Sequence, residues 1–355
     1  MKKIVALIYL LILTVLGWSV VQSGYHYTFD IDELHIAHLI YLMTQGVKPY
    51  TGFYDVYSLF IYWFVMPVFL IFGFSFKTVS MARLLMIGVF AIRVLLSFIL
   101  VRRVFGKMAG YLFVPLFLLD PFVVFVSMQI RPENLMMVFF TVLLLLASTA
   151  LTKPSKKILF VMGTVFSLTF LASPKIVPSL LVFFAAISYY YLNKRQFWNY
   201  LYFIDGFILT FLVYFIYFLV NGNLIEMFQL TFIDPVLLNS SIRNVTTLNY
   251  FYFSNSVIFG NGGKPMSWIY AWMLPPAGFA GGFMTFIDSV QDKLSKKIDL
   301  IKIIIFLCFV AQWVFMLFIN SVFIQYYIPL SWYYSLFASV LIVALFKMDI
   351  SPSIK

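Results

Sequence analysis

Between positions 30 and 38 of an otherwise hydrophobic chain stand three carboxylates, Asp30, Asp32 and Glu33, and two histidines, His35 and His38. A carboxylate held near a membrane can act as a general base toward a hydroxyl or amine brought to it. Asp32 is the first choice as that base, because it opens a helical stretch and is the better fixed. Asp30 is its neighbour. Taken alone, the trio reads more simply as an N-cap with solvated acids. The setting argues for more, since acids at a membrane surface cost solvation energy unless they act or find partners. Asp32, His35 and His38 can share one helical face. That spacing permits a metal site but is common, and a polar helix face accounts for it equally well. No metal ligand is assigned. A divalent metal is compatible with the chemistry but not indicated, and no other cofactor is called for.

Two cations complete the candidate chemistry. Arg131 and Glu133 flank Pro132, and Lys175 lies between Pro174 and Pro178. A lone Lys at a helix end usually snorkels, and an Arg–Glu neighbour pair usually closes on itself. Brought together, however, Arg131 and Lys175 would make an anion site suited to a lipid phosphate. Arg93 falls near mid-membrane, where an unpaired charge is expensive, and Asp120 is read as its structural partner.

The elements that position these groups follow from composition. The chain is 63% hydrophobic and only 10% charged, against about 25% charged residues in a soluble domain. It is read as an all-α, polytopic integral membrane protein. The net charge of +11 falls largely in short loops, so topology explains it and no nucleic acid partner is implied. The single cysteine, Cys308, lies in an apolar run and says nothing of redox compartment. Residues 1–21 resemble a signal peptide without a small-residue cleavage site and are read as a retained anchor.

Stretches of about 20 apolar residues mark the spans. They lie near 4–21, 81–101, 109–127, 134–151, 158–174, 176–192, 200–221, 266–288, 300–319 and 328–346. The run 57–74 is ambiguous, and charge decides it. If it does not span, Arg102, Arg103, Lys107, Lys153, Lys156, Lys157, Lys194, Arg195, Lys293, Lys296, Lys297 and Lys347 share a side with Lys2 and Lys3. So 57–74 is expected to lie in the interface, with about ten spans and both termini cytoplasmic. The outer face then receives a catalytic loop, 23–80, and a second loop, 222–265, within one transmembrane domain covering 1–355. Asp32–Gln45 is expected to be a helix along the membrane surface, stopped by Gly46 and Pro49.

With these elements in place the chain resembles a known family. The Asp32-Glu33 pair after the first span, the amphipathic helix and Gly46-Val47-Lys48-Pro49-Tyr50-Thr51-Gly52-Phe53-Tyr54-Asp55 are similar to the first outer loop of GT-C glycosyltransferases. The nearest branch is that of protein O-mannosyltransferases and lipid A aminoarabinose transferases. Ala82-Arg83-Leu84-Leu85, Arg102-Arg103, Asp120-Pro121, Arg131-Pro132-Glu133, Ser173-Pro174-Lys175 and Gln325-Tyr326-Tyr327 follow in the family's order. Each motif is weak, and the order carries the resemblance.

The resemblance implies a polyprenyl-phosphate-linked sugar as donor and an outer-face carboxylate that activates a glycan, lipid or protein acceptor. It places the base at Asp32 with Glu33 beside it, Glu133 as a second acid, and Lys175 near the donor phosphate. Tyr50, Asp55, Tyr57, Gln325 and Tyr326 would line the site. Many relatives carry a His or Lys before a Pro-Pro pair where this chain has Asp55-Val56-Tyr57-Ser58, so that cation is missing. The large C-terminal outer domain of some relatives is not expected. The competing reading, a transporter or flippase of lipid-linked sugars, would need polar residues lining a path across the membrane. The polar residues crowd on one face instead. The implied location is a bacterial plasma membrane with the site on its outer face.

Overall fold

The computed structural model describes residues 2–120, 126–241, 265–291, 297–319 and 324–350. Much of the expected outer loop 222–265, together with Pro121, Lys293 and Lys296, lies outside the described residues. All ten expected spans are helical. They are α1 (Lys2–His26), α4 (Phe76–Phe105), α5 (Lys107–Leu118), α6 (Pro132–Ala150), α7 (Lys156–Ala172), α8 (Val177–Asn193), α9 (Phe197–Asn221), α12 (Pro265–Gln291), α13 (Lys297–Met316) and α14 (Tyr327–Ile350). The connecting helices are α2 (Ile31–Thr44), α3 (Phe60–Phe72), α10 (Leu224–Phe228) and α11 (Asp234–Ser241). The architecture is all-α, and the chain is an integral membrane protein. Among the described residues six helices are long and apolar enough to cross a membrane. The stretch 109–127 is shorter than expected, since α5 ends at Leu118.

Helix α3 has 13 residues, about 20 Å at 1.5 Å per residue, too short for a hydrocarbon core of about 30 Å. That suits the interfacial position expected of 57–74. Helix α4 has 30 residues, about 45 Å, and links the two ends of the bundle. Ser75 caps its start by accepting from Thr78 N at 3.1 Å, and Gly106, at φ 100°, ends it. Arg102 and Arg103 sit in its last turn, where cations face the negative end of the helix dipole.

Without a hydrophobic drive between lipid-immersed helices, close approach depends on small residues. Helices α7 and α9 meet through Gly163 and Gly206. A Cβ at Gly163 would run into the Phe203 carbonyl and lie 2.8 Å from Phe207 N. One at Gly206 would run into the Phe160 carbonyl. Ser167 adds a bond to Phe207 O at 2.9 Å. Helices α12 and α14 repeat the device, with a Cβ at Gly278 only 2.8 Å from Tyr334 Cα. These rigid contacts fix where the short loops at the helix ends fall.

Candidate active site

Helix α2 begins one residue earlier than expected, with Asp30 as its N-cap and Asp32 an acid of its first turn. Asp30 has extended backbone and accepts from Asp32 N through Oδ1 at 2.9 Å. Its end follows the expected stop. Gly46, at φ 82°, lets Gly46 N reach Met43 O at 3.0 Å and Val47 N reach Leu42 O at 3.1 Å. The helix thus presents Asp30, Asp32 and Glu33 at one fixed end.

Arg131 gathers two of these three acids. Its Nη2 lies 2.9 Å from Asp30 Oδ2, its Nη1 3.1 Å from Asp32 Oδ2, and its Nε donates to Gln129 Oε1 at 2.6 Å. The Arg131 side chain is only 3% exposed, against 31% for Asp30 and 36% for Asp32. Burial alone would lower its pKa, but Glu133, Asp30 and Asp32 outweigh burial and raise it. A guanidinium with every arm engaged orients carboxylates, so the structure does not leave Arg131 open to a phosphate as expected from sequence. Asp30 uses both oxygens, on the helix cap and on Arg131. Asp32 meets Arg131 through Oδ2 and keeps 36% of its side chain exposed.

Glu33 is separated from its neighbours. It is fully buried and receives Arg83 on both oxygens, Nε to Oε1 at 2.9 Å and Nη2 to Oε2 at 2.5 Å. Ile130 N adds a bond to Oε1 at 3.2 Å. Arg83 also donates to the carbonyls of Tyr25 at 3.1 Å, Tyr27 at 2.6 Å and Thr28 at 3.2 Å. Glu33 was expected beside the base in the catalytic group. Its placement instead ties α2 to α4 and to the end of α1, because a carboxylate with both oxygens bonded inside the protein has no face toward a substrate.

The second ionic pair completes the cluster. Glu133, in the first turn of α6, accepts from Lys175 Nζ of the 3₁₀ turn Pro174–Ile176. The turn is held by Gln312 Nε2 donating to Lys175 O at 3.0 Å. The ammonium is 4.8 Å from the Tyr326 ring centroid and 5.8 Å from that of Tyr57, a partial aromatic box that favours a cation. Lys175 keeps 19% of its side chain exposed, which makes it the accessible cation of the cluster. Gln325, the neighbour of Tyr326, is buried.

Tyr57 stands among these charges. Burial, then the negative charges of Glu133 and Asp32, hold its phenol well above the usual range, so it stays protonated and can donate. Tyr50 positions it: the Tyr50 hydroxyl donates to Tyr57 O at 2.8 Å and accepts from Thr231 Oγ1 at 3.2 Å. Tyr50 adopts φ 67°, a strained backbone for a non-glycine residue at about 1–3 kcal/mol. The bonds to Tyr57 and Thr231, and Asn223 Nδ2 on Pro49 O at 2.8 Å, hold it there. Tyr50 therefore acts as a strut behind the site rather than as a lining residue.

Asp55 and the histidines lie apart. Asp55 is buried, receives Tyr62 Oη and its neighbour Val56 N, and lies 3.7 Å from the exposed His35 Nε2. His38 packs edge-on against Phe74. The face shared by Asp32, His35 and His38 in sequence is thus divided among three partners. No group of three His, Cys, Asp or Glu side chains suited to a metal occurs among the described residues. Burial pushes the Asp55 carboxyl up to about 7 from 3.8. The folded chain then holds a proton that the unfolded chain releases above about 4, so this contribution to stability is full below pH 4 and is lost as pH rises through 7. Thermal unfolding in detergent should show stability falling between pH 4 and 7. Asp55→Asn should flatten that slope, and an unchanged slope would mean that Asp55 does not carry it.

Gln129, Tyr62 and Arg83 are the residues of this region that sequence reasoning did not assign. Gln129 stands two positions before Arg131, a signal that was available. The distances from Arg83 to Glu33 and from Tyr62 to Asp55 depend on the fold.

The chain resembles known proteins in both sequence and fold. Residues 57–221, from Tyr57 to the end of α9, match the family profile described as dolichyl-phosphate-mannose-protein mannosyltransferase. The crystal structure of ArnT from Cupriavidus metallidurans bound to undecaprenyl phosphate superposes with a TM-score of 0.66 at 14% identity, over 95% of this chain and 60% of ArnT. The fold is that of the GT-C glycosyltransferases. The apo form of ArnT gives a TM-score of 0.62 at 15% identity, over 99% of this chain and 62% of that one. Archaeal oligosaccharyltransferase AglB from Archaeoglobus fulgidus, in complex with an inhibitory peptide and a dolichol-phosphate, gives 0.52 at 15% identity, over 97% of this chain and 51% of AglB. The chain thus spans 60% of the ArnT length in the first of these comparisons. No curated protein matches it in sequence. Within the GT-C fold the matched segment carries Tyr57, Arg131, Glu133 and Lys175, while Asp30 and Asp32 precede it.

Proposed function

We propose that the chain is a glycosyltransferase that moves a sugar from a polyprenyl-phosphate donor to an acceptor on the outer face of a bacterial plasma membrane. The observation that carries this is the ionic cluster at one end of the GT-C fold. Arg131 holds Asp30 and Asp32, and Glu133 holds the more accessible Lys175 beside Tyr57 and Tyr326. Asp32 Oδ1 takes the proton from an acceptor hydroxyl or amine. The acceptor attacks the sugar carbon from the face opposite the lipid phosphate, which inverts that centre. The phosphate leaves toward Lys175 and the Tyr57 hydroxyl, and Glu133 gives up the ammonium as the phosphate takes its place. The polyprenyl phosphate monoester that departs from the sugar is already a competent leaving group, so positioning and charge stabilisation suffice without a resident cofactor. Both termini and the lysine-rich turns are assigned to the cytoplasm. The transporter reading lacks support, because the relatives that share this fold are transferases.

Lys175→Ala tests the donor end. It removes the cation while Tyr57 and the Arg131–aspartate cluster stay in place. Binding of undecaprenyl phosphate, followed by native mass spectrometry, should weaken by roughly thirtyfold to several thousandfold, since truncating a cation on a desolvated phosphate costs about 2–5 kcal/mol. Unchanged binding would return Lys175 to a purely structural pair with Glu133. Mass spectrometry of glycolipids and surface polymers from a deletion strain would identify sugar and acceptor. If deletion changes neither, the transferase reading fails.

A further inference from the structure

The end of the bundle opposite the ionic cluster holds a second polar cavity that this chemistry does not use. It has a volume of about 690 Å³ and lies among α4, α5, α12, α13 and α14. Lys302, Lys347, Asp288 and Thr285 supply its polar wall, while Phe105 and Val343 belong to its apolar one. Lys347 stands 20 residues along α14 from Tyr327, about 30 Å at 1.5 Å per residue. The cavity therefore opens at the far membrane face. The α4–α5 turn that brings Phe105 to it also carries Arg102, Arg103 and Lys107. Lysines exceed carboxylates in the wall, and the adjoining α4–α5 turn carries further cations. An apolar wall between membrane helices beside a cationic mouth suits a molecule that is part hydrocarbon and part anion.

We propose that this cavity binds an anionic phospholipid of the leaflet facing away from the ionic cluster. The headgroup phosphate lies between Lys302 and Lys347, and the acyl chains leave along Phe105 and Val343. Asp288 disfavours dianionic soluble phosphates and leaves a singly charged phosphodiester as the fitting group. The inference does not depend on the transferase reading. The test is native mass spectrometry of the full chain released from nanodiscs of equal phosphatidylglycerol and phosphatidylcholine. Phosphatidylglycerol adducts should exceed phosphatidylcholine adducts. That excess should fall by roughly tenfold in Lys302→Gln/Lys347→Gln, and persist in Lys153→Gln/Lys157→Gln, which removes two lysines from another basic turn. Circular dichroism of each variant separates lost binding from lost fold. Equal adducts of the two lipids, or an excess that survives in a folded Lys302→Gln/Lys347→Gln variant, would overturn the proposal. So would displacement of the lipid by millimolar inorganic phosphate, because it would assign the cavity to a soluble anion.

Discussion

Asp32→Asn should lower the rate of sugar transfer by roughly 10²–10⁴, the range for a lost general base, while donor binding largely survives. The carboxamide keeps the shape and can still accept from Arg131 Nη1, which lies 3.1 Å from Asp32 Oδ2. It cannot take the acceptor proton. Asp30→Asn is the control. Asp30 spends Oδ1 on the helix cap and Oδ2 on Arg131, so its loss weakens the ion pair and leaves the Asp32 carboxylate in place. Asn also caps helices well, so α2 should keep its start. The measurement is single-turnover transfer from a polyprenyl-phosphate sugar with the acceptor identified in the deletion strain. Near-normal turnover in Asp32→Asn would remove Asp32 from the role. Collapse in Asp30→Asn alone would move the base two residues and leave the reaction class unchanged.

What could be read before folding was what lies along the chain. Apolar runs and lysine-rich turns located all ten helical stretches, and the distribution of Lys and Arg, not length, kept 57–74 out of the spans. Gly46 located the end of α2 because only a left-handed residue lets Val47 N reach back to Leu42 O at 3.1 Å. Lys175, Glu133 and Tyr326 were each named from sequence, yet nothing there showed them in contact. Their meeting depends on how α6, α8 and α14 cross, and those crossings are set partly by glycine contacts such as Gly278 against Tyr334. Roles within the cluster were harder still. Asp30, Asp32 and Glu33 are chemically equivalent in a sequence. They diverge because a helix turns about 100° per residue, which aims Glu33 into the bundle while Asp30 and Asp32 meet Arg131 at its edge. Arg131 looked like a phosphate ligand because its partners at Asp30 and Asp32 lie a hundred residues away.

Removing Arg83 should cost more stability than any other single change in this region. Its side chain is 1% exposed and satisfies Glu33 together with the carbonyls at and just after the end of α1. Arg83→Met leaves the buried Glu33 charge without its partner and those carbonyls without donors, a loss of about 3–5 kcal/mol. Glu33→Gln should cost less than Arg83→Met. The amide oxygen still accepts from Arg83 or from Ile130 N, and Arg83 keeps its carbonyl partners. Because both substitutions break one interaction, their double variant should be far from additive. The readout is thermal unfolding in detergent, paired with donor binding by whatever fraction remains folded. A scaffold pair predicts that the folded fraction binds donor normally. A Glu33→Gln variant that unfolds at the wild-type temperature yet transfers no sugar would contradict this. It would return Glu33 to the catalytic group and show that its bonds to Arg83 open during the reaction.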